Sequence, residues 1–274
     1  MPPDVNSPDL LERPGSTGIQ SIENGTPVLR ALVQAKEAMT LTAIAAASGM
    51  APGKAHKYLA SYIRAGLVAQ NESGGRYDLG PFALELGVAA MRRINVMEIA
   101  QATLEDLRDA LGHTVSLAIW ANRGPTIMRI AETPEILSLT VRFGTVMPLL
   151  TSAFGRIYAA FLDRRLTQGL IQAELADPAG IAARSGLRSL GDVESLLAEF
   201  RAHRMSAAEN LSAPGRAALA APIFDHNNRI VAAIAVIGVQ GRLDLNWDGR
   251  PARALATAAR KLSLRLGASP DLIG

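Results

Sequence analysis

Three cationic side chains lie close together between residues 41 and 66 of this 274-residue sequence, and they are the first group whose spacing suggests a chemical role. Lys54, His56 and Lys57 follow a proline at position 52, and they are interleaved with an apolar set at helical spacing: Ala55, Tyr58, Leu59, Tyr62 and Ile63. Because residues at i, i+3 and i+4 share one face of a helix, the apolar set is expected to face inward and the cations outward. Lysine and histidine donate to phosphate oxygens and to guanine edges, so such a face is suited to nucleic acid.

The residues before this helix indicate how it is positioned. A short apolar stripe that includes Leu41 and Ile44 predicts one helix, Gly49 is suited to the left-handed turn where that helix stops, and Pro52 is suited to the first turn of the next helix. Two short helices joined by a glycine-containing turn indicate a helix-turn-helix. The alternative is a plain helical hairpin whose charged face is only solvated.

The segment after the second helix favours the DNA-binding interpretation. An apolar run begins at Leu67, residues 71–75 form a turn cluster, and residues 76–79 (RYDL) alternate like a returning strand. A hairpin directly after the second helix makes a winged helix-turn-helix, with Gly74, Gly75 and Arg76 placed along a phosphate backbone. The helix before it, in residues 25–35, supplies Val28, Leu29, Leu32 and Val33 as the third wall of a small core.

Composition excludes several other classes. The chain has no cysteine, so it can hold neither a disulfide framework nor a thiolate metal site, and its four histidines show no metal-ligand spacing. No nucleotide-binding glycine loop, nucleophile elbow or paired carboxylate with a histidine is present, which predicts no enzyme activity and no cofactor. No apolar run is long enough for a membrane helix, and the start does not read as a signal peptide, so we expect a cytoplasmic protein.

The remaining chain divides into segments with different patterns. Residues 1–17 predict a disordered tail, 18–80 the winged helix-turn-helix, 81–96 a linker helix, and 97–274 a second domain. In the second domain, helices are predicted at 97–112, from 151, at 191–204 and at 253–266, and strands at 113–122, 126–133 and 138–144. A strong hairpin follows at 216–225 and 229–239. This order predicts an α+β fold with helices on one or both faces of a sheet.

The start of the helix at residue 151 is the most informative stretch of the second domain. Small and hydroxyl residues there, including Ser152, Ala153 and Phe154, leave backbone N–H groups available to an anion such as a carboxylate. The alternative is an ordinary N-cap by Thr151 or Ser152.

Four motifs in order resemble the IclR family of bacterial transcriptional regulators over nearly the whole chain. They are the run at residues 49–57 (GMAPGKAHK), the wing exit at 76–80 (RYDLG), the segment at 147–156 (MPLLTSAFGR), and the stretch from Glu209 to Asp225 that ends in LAAPIFD. The resemblance implies a winged-helix DNA-binding domain, a linker helix and a GAF-like α/β effector-binding domain. It also implies a homodimer or homotetramer on double-stranded operator DNA, and a small carboxylate or aromatic effector.

The residue patterns described above and the resemblance together give two sets of site residues. The DNA-binding set is Thr42, Gly53, Lys54, His56, Lys57, Ser61 and Arg76. The effector-binding set is Ile136, Leu139, Met147, Ser152, Ala153, Phe154, Glu209, Arg216, Ala218, Ala235 and Ile237. Relatives often have Ser-Thr where this chain has Gly53-Lys54, so the base preference is expected to differ. For Lys57, a phosphate contact and base reading both stay open.

The effector itself stays open. Several relatives present hydroxyl or thiol groups at the positions of Ala218, Ala235 and Ile237, which cannot hydrogen-bond. Either the effector is more apolar than a two-carbon acid or the site has lost its ligand. Arg216 has the strand parity of Ala218, so it either points inward to a carboxylate or extends into solvent. The alternative function is a protein–protein interaction module that docks through the winged helix and carries a vestigial sensor.

Overall fold

The computed structural model describes residues 18–35, 37–71, 75–93, 96–133, 142–177 and 185–270. It divides the chain into two compact units, Met1–Arg93 and Ile94–Gly274. The helix predicted as a linker therefore groups with the first unit. Among the described residues, no helix has the length and apolar character needed to cross a bilayer. The tail predicted at 1–17 lies outside the described residues.

The first unit is a winged helix-turn-helix. Its elements are α1 (Gln20–Gln34), α2 (Leu41–Ser48), α3 (Pro52–Arg64), β1 (Val68–Gln70), β2 (Tyr77–Leu79) and α4 (Pro81–Arg93). The two strands pair antiparallel, with Val68 opposite Leu79 and Gln70 opposite Tyr77. This confirms the predicted order of helix, turn, helix and hairpin.

The turn between α2 and α3 forms as its residue types predict. Gly49 ends α2 with φ 66°, in the left-handed region, and Pro52 begins α3 directly after the N-cap residue Ala51. A proline suits this position because its missing N–H would have no intrahelical partner there.

The core of the first unit corrects one prediction about α1. Val28 and Leu32 are buried with Ile44, Leu59 and Val68, whereas Val33, predicted to be part of this core, is 67% exposed. Ala31 replaces it as the inward residue, as helical period from Val28 requires. The helix spans Gln20–Gln34 and contains Pro27.

The second unit is an α/β domain built on one antiparallel sheet. Its helices are α5 (Val96–Leu111), α6 (Ala153–Phe161), α7 (Arg164–Ala176), α8 (Leu190–His203) and α9 (Arg250–Arg265). Its strands are β3 (Thr114–Ala121), β4 (Gly124–Ala131), β5 (Ser206–Glu209), β6 (Arg216–Phe224) and β7 (Ile230–Val239). The strand order is β4-β3-β7-β6-β5.

Side-chain alternation along the strands builds a core on each face of the sheet. On one face, Leu219 and Ile234 pack with α5 and α9, for example with Leu104 and Leu262. On the other face, small residues such as Ala235 pack against α6. Because β-strand residues point alternately to opposite faces, this arrangement explains why β6 and β7 read as nearly continuous apolar runs.

Helices therefore cover both faces, and the predicted hairpin of β6 and β7 is confirmed in its antiparallel register. Helix α7 and the short edge strand β5 were not predicted from the sequence. The strand predicted at 138–144 falls largely outside the described residues, and its last three residues, 142–144, lie in a loop and turn.

Candidate DNA interface and effector cavity

The outer face of α3 carries the predicted DNA-binding residues in an accessible position. Gly53, Lys54, His56, Lys57 and Ser61 are all exposed, and the inward positions Ala55 and Leu59 are fully buried. The Ser61 hydroxyl donates to the Lys57 carbonyl oxygen at 3.1 Å. A Cβ added at Gly53 would meet no atom within 4 Å, so no side chain covers the exposed face of the helix at this position.

Two further residues of the predicted set lie beside this helix. Thr42 is exposed at the start of α2. Arg76 is also exposed, and its guanidinium donates to the Ala38 carbonyl oxygen at 3.0 Å, which ties the base of the wing to the segment before α2. Gly74, at the predicted wing tip, lies outside the described residues. Lys54, Lys57 and Arg76 are thus exposed cations on α3 and the wing, and cations of this kind attract the phosphates of a nucleic-acid backbone.

A partly enclosed cavity of about 50 Å³ lies in the second unit between α6 and the hairpin of β6 and β7. It brings together eight of the predicted effector residues: Met147, Ser152, Ala153, Phe154, Arg216, Ala218, Ala235 and Ile237. Residues not predicted also line it, mainly from β5 and the loop before β6: Ala208, Leu211, Ser212, Ala213 and Ala217.

Three predicted effector residues are not part of this lining. Ile136 and Leu139 fall outside the described residues. Glu209 is exposed at the end of β5 and is absent from the cavity wall. Its side chain alternates away from Ala208, which does line the cavity, so the acidic residue of the motif faces solvent.

The sheet side of the cavity is formed by Ala218, Ala235 and Ile237, and two of these three side chains are single methyl groups. In the strand register, Ala218 lies opposite Ile237. Because the side chains of Ala218 and Ala235 are only methyl groups, a flat apolar group can lie against this side of the cavity. Arg216 stands at the start of β6, is half-buried and lines the cavity, which supports the inward orientation over the solvent-exposed one.

The N-terminus of α6 forms one end of the cavity. Ser152 is its N-cap, and the hydroxyl accepts from Gly155 N–H at 2.9 Å and donates to the Pro148 carbonyl oxygen at 2.6 Å. The ordinary N-cap is thus present. It satisfies the Gly155 amide, and the amides of Ala153 and Phe154 make no hydrogen bond within the part of the chain that the structure describes.

Two charged residues that the sequence analysis had not assigned to the site fix this helix start. Glu174, on α7, accepts from Leu149 N–H at 2.5 Å and from Leu150 N–H at 2.9 Å. A Cβ at Gly155 would lie 2.4 Å from the Leu149 Cα, so only glycine lets the turn before α6 pack this closely on the helix. No periodicity marks Glu174, because its partners are backbone amides far away in sequence.

Arg156 is the second of these residues. It is 8% exposed, and its guanidinium donates to the Leu150 carbonyl oxygen at 2.8 Å and to the Ala207 carbonyl oxygen at 2.5 Å. Burial lowers the pKa of Arg156 to about 10, and the nearby Glu199 carboxylate opposes that shift. The side chain thereby joins α6 to β5 directly before the cavity residue Ala208.

The fold and these two sites define a class of protein: a winged helix-turn-helix DNA-binding protein with a separate α/β domain that holds a cavity. Residues 21–72 match the IclR helix-turn-helix domain, and residues 88–264 match the bacterial transcriptional regulator IclR C-terminal domain. The chain belongs to the IclR family of bacterial transcriptional regulators, whose members bind DNA and are not enzymes. This confirms the predictions of a DNA-binding regulator and of a protein without catalytic activity.

Individual relatives match along nearly their whole length. A glycerol operon regulatory protein of Streptomyces griseus is 30% identical over 242 residues, which cover 88% of this chain and 92% of that protein. The crystal structure of Pseudomonas aeruginosa HmgR is 35% identical with a TM-score of 0.82, covering 92% of this chain and 100% of that one. An IclR homologue of Microbacterium hydrocarbonoxydans, solved with 4-hydroxybenzoate, has 17% identity and a TM-score of 0.53, covering 90% and 99%.

Proposed function

We propose that this protein controls a metabolic operon, of a catabolic pathway, in response to a small organic acid with an apolar ring or alkyl body. The observation that carries the proposal is the cavity, whose lining includes the α6 N-terminus, Arg216 and an apolar sheet side with Ala218 and Ala235. Backbone N–H groups and a guanidinium recognise a carboxylate, and methyl groups favour an apolar body.

The cavity volume supports a change of conformation on binding. The space of about 50 Å³ is well below the roughly 150 Å³ that holds a benzene ring in an apolar cavity. Met147 lines the space and is only half-buried, and methionine side chains adapt readily. A ring therefore enters by displacing Met147 and with it the turn that leads into α6. The ligand then has different affinities for the domain with Met147 in place and with Met147 displaced. Such a difference is required for a ligand to shift a protein from one state to the other.

The relatives support the same class of effector. One homologue was solved with 4-hydroxybenzoate, an aromatic acid. The regulators named for the glycerol operon support control of a metabolic operon and do not bear on the acid. The absence of hydrogen-bonding side chains at Ala218, Ala235 and Ile237 is consistent with a ligand that places its apolar part there.

DNA recognition is assigned to α3, with its exposed face in the major groove and Arg76 beside the backbone. Lys57 contacts a phosphate in this arrangement, whereas Lys54 and His56 lie nearer the helix start, where base edges are reached. A regulator that binds operator DNA acts in the bacterial cytoplasm.

Assembly into a homodimer, or a dimer of dimers, is assigned to exposed apolar residues of the first unit. On α1, Ile22 is 62% exposed, and on α4, Leu84 is 69% and Leu86 49% exposed. Large exposed side chains concentrated on two helices of one small unit indicate a surface that a second copy covers. A two-fold dimer would read a pseudo-palindromic operator.

Calorimetric titration of the full chain with benzoate and with glyoxylate tests the effector class. Benzoate is expected to bind more tightly, because glyoxylate would leave the apolar sheet side without contact. Arg216→Ala is expected to cost about 1.5–3 kcal/mol of benzoate affinity, as the loss of a charge-assisted hydrogen bond does. Arg229→Ala, at the exposed far end of the same hairpin, is the matched control and should change nothing. Tighter binding of glyoxylate would overturn the proposed class.

A further inference from the structure

Two buried hydroxyl groups next to the cavity have no hydrogen-bond partner among the described residues. Thr114 and Ser116, at the start of β3, are 1% and 0% exposed. Within the part of the chain that the structure describes, neither side-chain oxygen makes a hydrogen bond. A hydroxyl taken out of water without a partner destabilises the folded state, and buried polar groups are nearly always paired, so these two need a physical reason.

The register of the sheet places both hydroxyls beside the cavity wall. Ser116 lies opposite Ala235, and Thr114 lies opposite Ile237. Both partners line the cavity, and paired residues of neighbouring strands point to the same face of the sheet. The hydroxyls therefore lie one strand beyond the present wall, at a spacing of about 4.8 Å.

The cavity and the hydroxyls together form a longer path across the sheet. Arg216 and Ala218 lie on β6, Ala235 lies on β7, and the hydroxyls lie on β3. From β6 to β3 the path covers two strand spacings, about 10 Å. If the acid group of a ligand is held at the α6 N-terminus or by Arg216, its ring lies over Ala218 and Ala235. The far side of that ring then lies near β3.

We propose that Thr114 and Ser116 are the second polar anchor of the effector and that they select a ring acid carrying a hydroxyl group opposite its carboxylate. This inference rests on the proposed function. The donors absent from β6 and β7 are supplied from β3, one strand further across the sheet. Enlargement of the cavity over β3 gives the two hydroxyls their missing partner, so binding relieves a destabilisation that the ligand-free protein carries.

If Thr114 and Ser116 anchor the effector, removing their hydroxyl groups should reduce ligand selectivity without lowering the stability of the free protein. Removing the hydroxyls in Thr114→Val and Ser116→Ala, singly and together, should leave the thermal unfolding midpoint of the free protein unchanged or raise it, because no hydrogen bond is lost. The same variants should lose selectivity for the hydroxylated acid. Ser263→Ala is the matched control. That serine is also 1% exposed, but it donates to Ala259 and accepts from Phe224, so its loss should lower the midpoint and leave selectivity unchanged.

The probes are 4-hydroxybenzoate and benzoate, titrated into the full-length protein and each variant. The wild-type protein should bind 4-hydroxybenzoate about tenfold more tightly, as expected for one added hydrogen bond in a site that otherwise leaves polar groups unpaired. The double variant should bind both acids with nearly equal affinity.

The outcomes separate this inference from the proposed function. If both acids bind the wild-type protein equally, or the double variant keeps the preference, the effector class stands and the anchor is overturned. If the double variant unfolds at a midpoint lowered as much as that of Ser263→Ala, the hydroxyls are structural and the anchor is overturned as well. If neither acid binds the wild-type protein, the proposed effector class fails and the anchor fails with it.

Discussion

Glu174→Ala should destabilise the second unit through the turn that leads into α6. The carboxylate accepts from two backbone amides, Leu149 N–H at 2.5 Å and Leu150 N–H at 2.9 Å, and both of those residues are at most 1% exposed. Alanine leaves the two amides without an acceptor in a place that water reaches poorly. Each lost hydrogen bond to a charged acceptor costs about 1.5–3 kcal/mol. Discounting for the half-exposed Glu174 and for relaxation of the turn, the expected loss is about 2–4 kcal/mol.

Urea denaturation of the full chain, followed by circular dichroism, measures this loss as a lower transition midpoint. Glu174→Gln keeps one acceptor oxygen and should lose about half as much. Gln172→Ala, at an exposed position on the same helix α7, is the matched control and should stay within about 0.5 kcal/mol of the wild-type protein. A loss below about 0.5 kcal/mol in Glu174→Ala would refute the reasoning, because it would mean that the two amides find other acceptors. The variant should also bind benzoate more weakly, since the α6 N-terminus is no longer fixed.

Three further predictions concern the first unit. If Lys57 contacts a phosphate, Lys57→Ala should weaken binding to all DNA sequences and reduce the slope of log affinity against log salt by about one. A relaxed preference at one base pair with an unchanged slope would instead show that Lys57 reads a base. Gly53→Ala should raise the free energy of unfolding by about 1 kcal/mol, because the added Cβ meets open space. Unchanged operator affinity in this variant would mean that DNA does not approach the glycine closely. Leu84→Glu should shift the full chain toward the monomer in analytical ultracentrifugation, and an unchanged sedimentation coefficient would remove α4 from the assembly surface.

Local signals allowed the helix-turn-helix to be predicted from sequence. Gly49 and Pro52 are residues whose backbone preferences match one turn and one helix start, and the apolar period of α3 identifies its inner face without knowledge of the rest of the fold. The error at Val33 has a local origin too, because five of the six residues at 28–33 are apolar, which leaves the inward face of α1 ambiguous until a partner helix is known.

The cavity could be predicted only in part. The hydroxyl-rich start of α6 and the parity of Arg216 are visible in the sequence, and the resemblance to the IclR family supplied the other wall. Glu174 accepts from backbone amides distant in sequence, so no pattern identifies it. Arg156 ends the motif at residues 147–156, but its bond to the Ala207 carbonyl oxygen is visible only in the fold. Thr114 and Ser116 look like ordinary strand residues until the register places them opposite Ile237 and Ala235.

The central claim is that a ligand in the cavity controls DNA binding, and the most direct test measures both equilibria in one protein. Fluorescence anisotropy gives the affinity of the full chain for labelled DNA from upstream of its own gene, with and without saturating 4-hydroxybenzoate. If a ligand in the cavity controls DNA binding, the acid should change operator affinity by about fivefold or more. Bound operator should change acid affinity by the same factor, because coupling between two sites is reciprocal. An acid that binds the protein and leaves operator affinity unchanged would contradict the account.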